Sequence, residues 1–249
     1  MTGYSRVFFR STHEGSVRSA EVIVPIVVEL IRPHSVVDVG CGQGIWLSVF
    51  EELGVDDYVG VDGDYIDRRA LSIPEDRFIA HDLGTPLRFP RTFDLVVSLE
   101  VAEHLPEDSG PAFVDSLTGL GPAVLFSAAI PRQGGTRHVN ERWQDYWAAL
   151  FAQRDFEPLD AIRWRVWTNE QVEPWYAQNT LLYVARELLA ERMELQSERR
   201  PRLDELRVVH PGFYLRACDS RPGLRFLLAS IPGAVGRAVR RRLTVARRG

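Results

Sequence analysis

The 249-residue chain contains no lysine: all 30 of its basic residues are arginine. That absence removes the phosphate-loop lysine, the Schiff-base lysine of pyridoxal enzymes and any lysine general base. Cysteine is nearly absent too. Cys41 and Cys218 are far apart in sequence, too few for a disulfide framework or a four-thiolate zinc site. No apolar run approaches the roughly 18 residues of a spanning helix. The opening MTGYSRVFFRSTHEG lacks the apolar core of a signal peptide, so a reducing cytoplasm is the expected location.

Charge is present but uneven. Residues 1–186 carry 16 Arg against 27 acids, a net of −11, and residues 187–249 carry 14 Arg against 7 acids, a net of +7. From Ser220 onward there are 8 arginines and no acid.

Apolar and β-branched runs alternate with helical patterns along the first part. Strands are expected at Ser35–Val39, Tyr58–Val61, Arg77–Ala80, Phe93–Leu99, Ala123–Ala128, Phe156–Trp167 and Thr180–Arg186. Helices are expected at Ala20–Ile31, Ile45–Leu53, Asp67–Leu71, Pro111–Leu120 and Trp143–Gln153. This alternation predicts an α/β fold: a Rossmann-like, doubly wound, mostly parallel seven-stranded sheet with helices on both faces. A C-terminal helical extension follows. The expected divisions are an N-terminal cover and helix over 1–33, a catalytic domain over 34–186 and a basic extension over 187–249.

Ligands on such sheets bind beyond the carboxyl ends of the strands, so the residues after each strand matter most. The first strand runs into DVGCGQG, where Asp38 precedes Gly40, Gly42 and Gly44. Its spacing is GxGxG, not the GxGxxG of dinucleotide sites. The second strand ends at Asp62, 22 residues beyond Gly40, where an acid suits ribose hydroxyls. The third is followed by HDL, with Asp82 and Leu83, and the fourth by SLEVAEHL, with Glu100, Glu103 and His104.

These four segments, in this order and spacing, resemble the class I S-adenosylmethionine-dependent methyltransferases over about residues 34–186. The resemblance implies S-adenosyl-L-methionine as cofactor and S-adenosyl-L-homocysteine as product. It implies that Asp38, Gly40 and Gly42 line the methionine part. Asp62 would hold the ribose, Asp82 and Leu83 would meet the adenine, and Glu100 would stand beside the cofactor. A net acidic first segment without lysine suits a sulfonium better than a pyrophosphate.

The acceptor side is expected in IPRQGGTRHVNERWQDYW, Ile130 to Trp147, which follows the fifth strand. Sugar and natural-product O-methyltransferases look similar there. His138 is the candidate base or acceptor-orienting group, since histidine titrates near neutrality. His138 and Asn140 could instead cap the helix near Trp143. Glu103 and His104 are the competing catalytic candidates. Glu141 reads as a first-turn acid favoured by the helix dipole, and Trp143, Tyr146 and Trp147 as core or pocket wall. Trp175, Tyr176, Gln178 and Asn179 could close the acceptor pocket. No metal is demanded.

The expected activity is methyl transfer to a hydroxyl of a sugar or secondary-metabolite small molecule. The alternatives are N-methylation of an amino sugar or small amine, and a non-catalytic cofactor-binding partner subunit. Tyr4, Phe8, Phe9, His13 and Glu14 would belong to an N-terminal cover that excludes water. The arginine-rich tail reads as a terminal helix packed on the domain or on a second subunit, as a membrane-surface helix, or, less in keeping with its composition, as a nucleic-acid contact.

Overall fold

The computed structural model describes residues 6–219, with side chains from Glu14 to Leu215. Two compact units divide the chain at His210/Pro211. The first begins with α1 (Arg6–Ile31), longer at its N-terminus than the apolar run Ala20–Ile31 alone suggests. Pro33 follows directly, where a helix cannot continue. Then come β1 (Ser35–Val39), α2 (Ile45–Glu52), β2 (Asp57–Asp62), β3 (Phe78–Ala80) and β4 (Leu95–Leu99). The chain continues through α3 (Gly110–Leu120), β5 (Ala123–Ser127), α4 (Gln144–Ala152) and β6 (Phe156–Leu159). It closes with α5 (Arg163–Val166), α6 (Pro174–Asn179), β7 (Leu181–Ala185), α7 (Arg186–Glu191) and α8 (Met193–Gln196).

The seven strands form one sheet in the order β3-β2-β1-β4-β5-β7-β6. All neighbours pair in parallel except β7, which runs antiparallel to both β5 and β6. The strand order reverses between β1 and β4, so a crevice opens there above their carboxyl ends. Every residue of β4 and β5 is buried, as their near-continuous apolar sequences require in a sheet covered on both faces.

Two apolar clusters sandwich the sheet. One joins Val24, Val27 and Ile31 of α1 to Leu47 and Phe50 of α2. The other joins Val114 and Leu117 of α3 to Trp147 and Phe151 of α4. Trp147 is therefore core, its ring tilted against Phe126. The change of composition at residue 187 is not a change of compact unit. Leu189, Leu195 and Leu206 are buried, and the first unit continues to His210.

One expected strand is corrected. Phe156–Trp167 is strand only to Leu159; Arg163–Val166 is helical. The alternation in IRWRVW imitates a strand. Asp160 overrides it, accepting from Nε and Nη2 of Arg163 at 2.8 Å each and from Nε1 of Trp164 at 2.7 Å. Partners three and four residues ahead are within reach only of a helical turn. The short helix expected at Asp67–Leu71 is a single 3-10 turn, Arg68–Ala70, capped by the Asp67 carboxylate.

The second unit contains α9 (Pro211–Asp219). Tyr4 and the arginine-rich stretch from Ser220 lie outside the described residues, as do the side chains of Phe8, Phe9 and His13. Among the described residues, no helix is long and apolar enough to cross a membrane.

Candidate active site

A cavity of about 700 Å³ occupies the crevice at the point of strand reversal. Gly40 and Gly42 form its floor, Asp62 to Ile66 one side, Ala80 to Gly84 another, and Glu100, Val101, His104 and Leu105 the far wall.

The floor requires glycine. Gly40 takes φ +91° and Gly42 φ +54°, in the left-handed region that glycine enters without strain. A Cβ on Gly40 would drive into the Val101 side chain, whereas one on Gly42 would meet nothing within 4 Å. The turn is tied to β2: Gly40 N–H donates to Val61 O at 2.7 Å and Gly42 N–H to Asp62 Oδ2 at 2.8 Å.

Asp62 is a hub. Its Oδ1 also accepts from Gly63 N–H and from the Tyr65 hydroxyl, each at 2.6 Å. Tyr65 itself is 81% exposed. Asp38 lies beneath the turn, buried, and does not line the cavity. Burial first, then the neighbouring Asp62 charge, raises its carboxyl well above the usual range. Asp82 and Leu83 stand on the rim, with Asp82 accepting from Gly84 N–H at 3.0 Å.

Glu100 ends β4 in a left-handed conformation, φ +56°. Its carboxylate is clamped by side-chain amides: Gln133 Nε2 donates at 2.8 Å and Asn179 Nδ2 at 3.1 Å. Gln133 Oε1 in turn accepts from Asn179 Nδ2 at 2.9 Å and Gln178 Nε2 at 3.1 Å. Asn179 thus touches Glu100 directly and Gln178 reaches it through Gln133, while Tyr176 packs against Trp46 and Trp175 against Tyr176. Burial raises the Glu100 carboxyl, and these donors oppose the rise.

The loop after β5 is strapped to the exit of β4. The backbone N–H groups of Val139 and Asn140 donate to Glu103 O at 2.8 and 3.0 Å, and Asn140 Nδ2 donates to Ala102 O at 3.3 Å. Helix α4 starts after Trp143 without a side-chain cap, so His138 and Asn140 do not cap it. Glu141 is not a first-turn acid of that helix either. It stays inside the loop, where its carboxylate accepts from Arg132 N–H at 2.6 Å and Gly134 N–H at 3.0 Å and meets His138 Nδ1 at 3.1 Å.

The strap brings His138 against His104, ring centroids 4.9 Å apart and nearly perpendicular. Burial first, then His138, holds the His104 imidazole below its ordinary pKa. Glu103 is fully buried, and neither carboxylate oxygen has a hydrogen-bond partner. Its carboxyl is raised well above the usual range, by burial and then by the charge of Glu100. The backbone amides of Glu103 and Ala129 pull the other way without reaching hydrogen-bond geometry. Ligand-capable atoms of Glu103, His104 and His138 lie within 4.8 Å of one another. That convergence was not legible in the sequence, although the Glu-His doublet after the fourth strand was its one local sign.

Residues 17–170 match a family described as a methyltransferase domain. Among solved structures, the methyltransferase domain of bacterial CtHen1 aligns with a TM-score of 0.50 at 19% identity, over 68% of this chain and 97% of that one. Magnesium protoporphyrin IX methyltransferase of Synechocystis PCC 6803, with bound S-adenosylmethionine, aligns with a TM-score of 0.50 at 17% identity, over 74% and 86%. DesVI of Streptomyces venezuelae aligns with a TM-score of 0.43 at 21% identity, over 52% of this chain, which spans only 58% of that protein. At these identities the likeness concerns the fold alone. No curated protein matches.

Proposed function

The chain belongs to the methyltransferase-domain family, and on that premise we propose that it transfers a methyl group from S-adenosylmethionine to a hydroxyl of a sugar or secondary-metabolite small molecule. One observation carries the reading. A cavity with a glycine floor and a ribose-suited acid at one end has His104 in its opposite wall, with His138 packed edge-to-face behind it.

The residues fit the cofactor. Gly40 and Gly42 leave backbone open to the methionine part, and no side chain competes above Gly42. Asp62 presents a carboxylate to the ribose hydroxyls, and Asp82 and Leu83 stand where the adenine lies. Asp38, buried where β1 enters the glycine turn, belongs to the same methionine end. Glu100 stands beside the cofactor, held in place by Gln133 and Asn179. When bound, the sulfonium supplies an electrophilic methyl carbon for in-line displacement.

The chain's own work is on the acceptor. His138 takes the acceptor's proton or orients its hydroxyl, with Glu141 engaging Nδ1 and leaving Nε2 for the acceptor. His104 lines the cavity, and burial and His138 hold its imidazole below the ordinary pKa. A second reading, N-methylation of a small amine, is favoured by Glu100, whose carboxylate on the cavity wall would hold an ammonium until His138 takes its proton and frees the nitrogen lone pair for transfer.

Purified protein with a panel of glycoside and amine acceptors tests the reading, with His138→Ala as the variant. A hydroxyl acceptor should lose turnover by about a hundredfold or more at unchanged affinity for S-adenosylhomocysteine. Turnover of amines alone would favour the second reading. Cofactor binding without turnover of any acceptor would favour a non-catalytic partner subunit.

A further inference from the structure

A fully buried carboxyl group with two unpartnered oxygens needs an explanation, because burial without a partner is costly. Glu103 is such a group. It sits where the loop carrying His138 crosses the exit of β4, next to His104 in the chain and close to His138 in space.

We propose that Glu103, His104 and His138 bind a first-row divalent transition cation, zinc or manganese in kind, at the acceptor end of the cavity. Each residue offers one ligand atom, and the three atoms lie within 4.8 Å of one another. A cation would give Glu103 the partner it lacks. Two imidazoles with one carboxylate suit a transition ion rather than magnesium, which prefers oxygen throughout.

The surroundings of His138 support the same assignment. Its Nδ1 faces the Glu141 carboxylate at 3.1 Å, which leaves Nε2 as the ligand atom. A carboxylate behind an imidazole is the usual orienting arrangement for a metal-binding histidine. Glu141 is itself anchored by Arg132 and Gly134 N–H groups. Gly135 completes the arrangement, since a Cβ there would fill the space at His138 Nε2.

Donor atoms sharing a tetrahedral zinc at about 2.0–2.1 Å lie about 3.4 Å apart. The three side chains therefore close by up to about 1.4 Å on binding, a movement open to the exposed His104. Three protein ligands leave positions free on the cavity side, where His104 forms part of the wall. Those positions select an acceptor that offers oxygen atoms. That selection rests on the methyl-transfer reading of the cavity; the binding of the ion does not.

The test uses the full, untagged chain, stripped with chelator and titrated with zinc chloride, manganese chloride and magnesium chloride by calorimetry. One equivalent of zinc or manganese should bind at micromolar affinity or tighter, with magnesium far weaker. Cobalt substitution should give a visible d–d band. His104→Ala and His138→Ala should each weaken zinc binding at least tenfold and abolish that band, and Glu103→Gln should weaken it comparably. Glu103→Gln and His138→Ala, at residues that do not line the cavity, should keep S-adenosylhomocysteine affinity within about twofold. No saturable binding up to millimolar metal, or equal binding in the two histidine variants, overturns the site. If metal binding fails while S-adenosylhomocysteine still binds, the methyltransferase reading stands alone; if S-adenosylhomocysteine fails to bind, that reading falls instead.

Discussion

Nδ1 of His138 lies 3.1 Å from Oε1 of Glu141, and the same carboxylate gathers the backbone N–H groups of Arg132 and Gly134. One side chain thus fixes both the course of the loop and the ring orientation of the histidine. With His138 and Glu141 side chains only 12% and 21% exposed, solvent screens the contact weakly. Glu141→Gln should lower turnover about tenfold or more, the usual loss when an orienting partner is removed. Affinity for S-adenosylhomocysteine, measured in parallel, should not change. A variant with wild-type turnover would detach Glu141 from the chemistry.

In the proposed reading Asp62 would serve the ligand as well as the fold, since its carboxylate also holds Gly42 and Gly63. Hydrogen bonds to a charged group are worth about 1.5–3 kcal/mol each. Asp62→Ala should therefore weaken S-adenosylhomocysteine binding by at least about tenfold. Calorimetry gives the affinity, and a thermal melt of the same variant separates lost ligand contacts from a loosened turn. Unchanged affinity would place the ribose elsewhere.

Tyr65 donates to Asp62 Oδ1 at 2.6 Å, the acceptor that a ribose hydroxyl would use. On the proposed placement, ligand and tyrosine would compete for it. Tyr65→Phe removes the competitor, and S-adenosylhomocysteine should bind more tightly, by up to about tenfold for one hydrogen bond. Weaker binding in this variant would instead make the tyrosine a ligand contact.

Asp38 makes stability depend on pH. Its folded-state pKa is raised by burial and by Asp62, so the folded chain holds this proton more tightly than the unfolded chain. The associated stability is fully present below the unfolded carboxyl pKa of about 3.9 and is lost as pH rises through the folded value. Asp38→Asn has no proton to lose there. Its melting temperature relative to wild type should rise steadily from pH 4 to pH 7. A constant difference across that range would contradict the assignment.

Asp160 and Arg163 are both buried, and Asp160 also accepts from Trp164 and from Arg199 at 2.6 Å. Asp160→Ala would leave the Arg163 guanidinium buried beside only the Leu206 carbonyl. Such an uncompensated charge costs about 3–5 kcal/mol. Denaturant unfolding should show a loss of this order.

The sheet was readable because its central strands are buried on both faces and carry little but apolar residues, as in LVVSL and AVLFS. The glycine turn and Asp62 were readable because they are local to their strands. The helix at Arg163 was not, because Asp160 decides it through side-chain hydrogen bonds that compete with a strand-like alternation. The meeting of His104 with His138 was hidden for another reason. It depends on Val139 and Asn140 donating to a carbonyl 36 and 37 residues earlier, and side-chain periodicity carries no trace of a backbone strap.

The amide of Gln133 settles the charge of its neighbourhood. Its oxygen faces three donors, from Ile130 N–H, Gln178 and Asn179, so its nitrogen has to point at Glu100. Asn179 donates to the other Glu100 oxygen. Both oxygens are thus committed to accepting, and neither has room for a proton toward these amides. The direction of a few hydrogen bonds favours the ionised form of Glu100, whereas the Glu103 carboxyl, whose oxygens meet no hydrogen-bond donor, is held well above the usual range by burial and by Glu100.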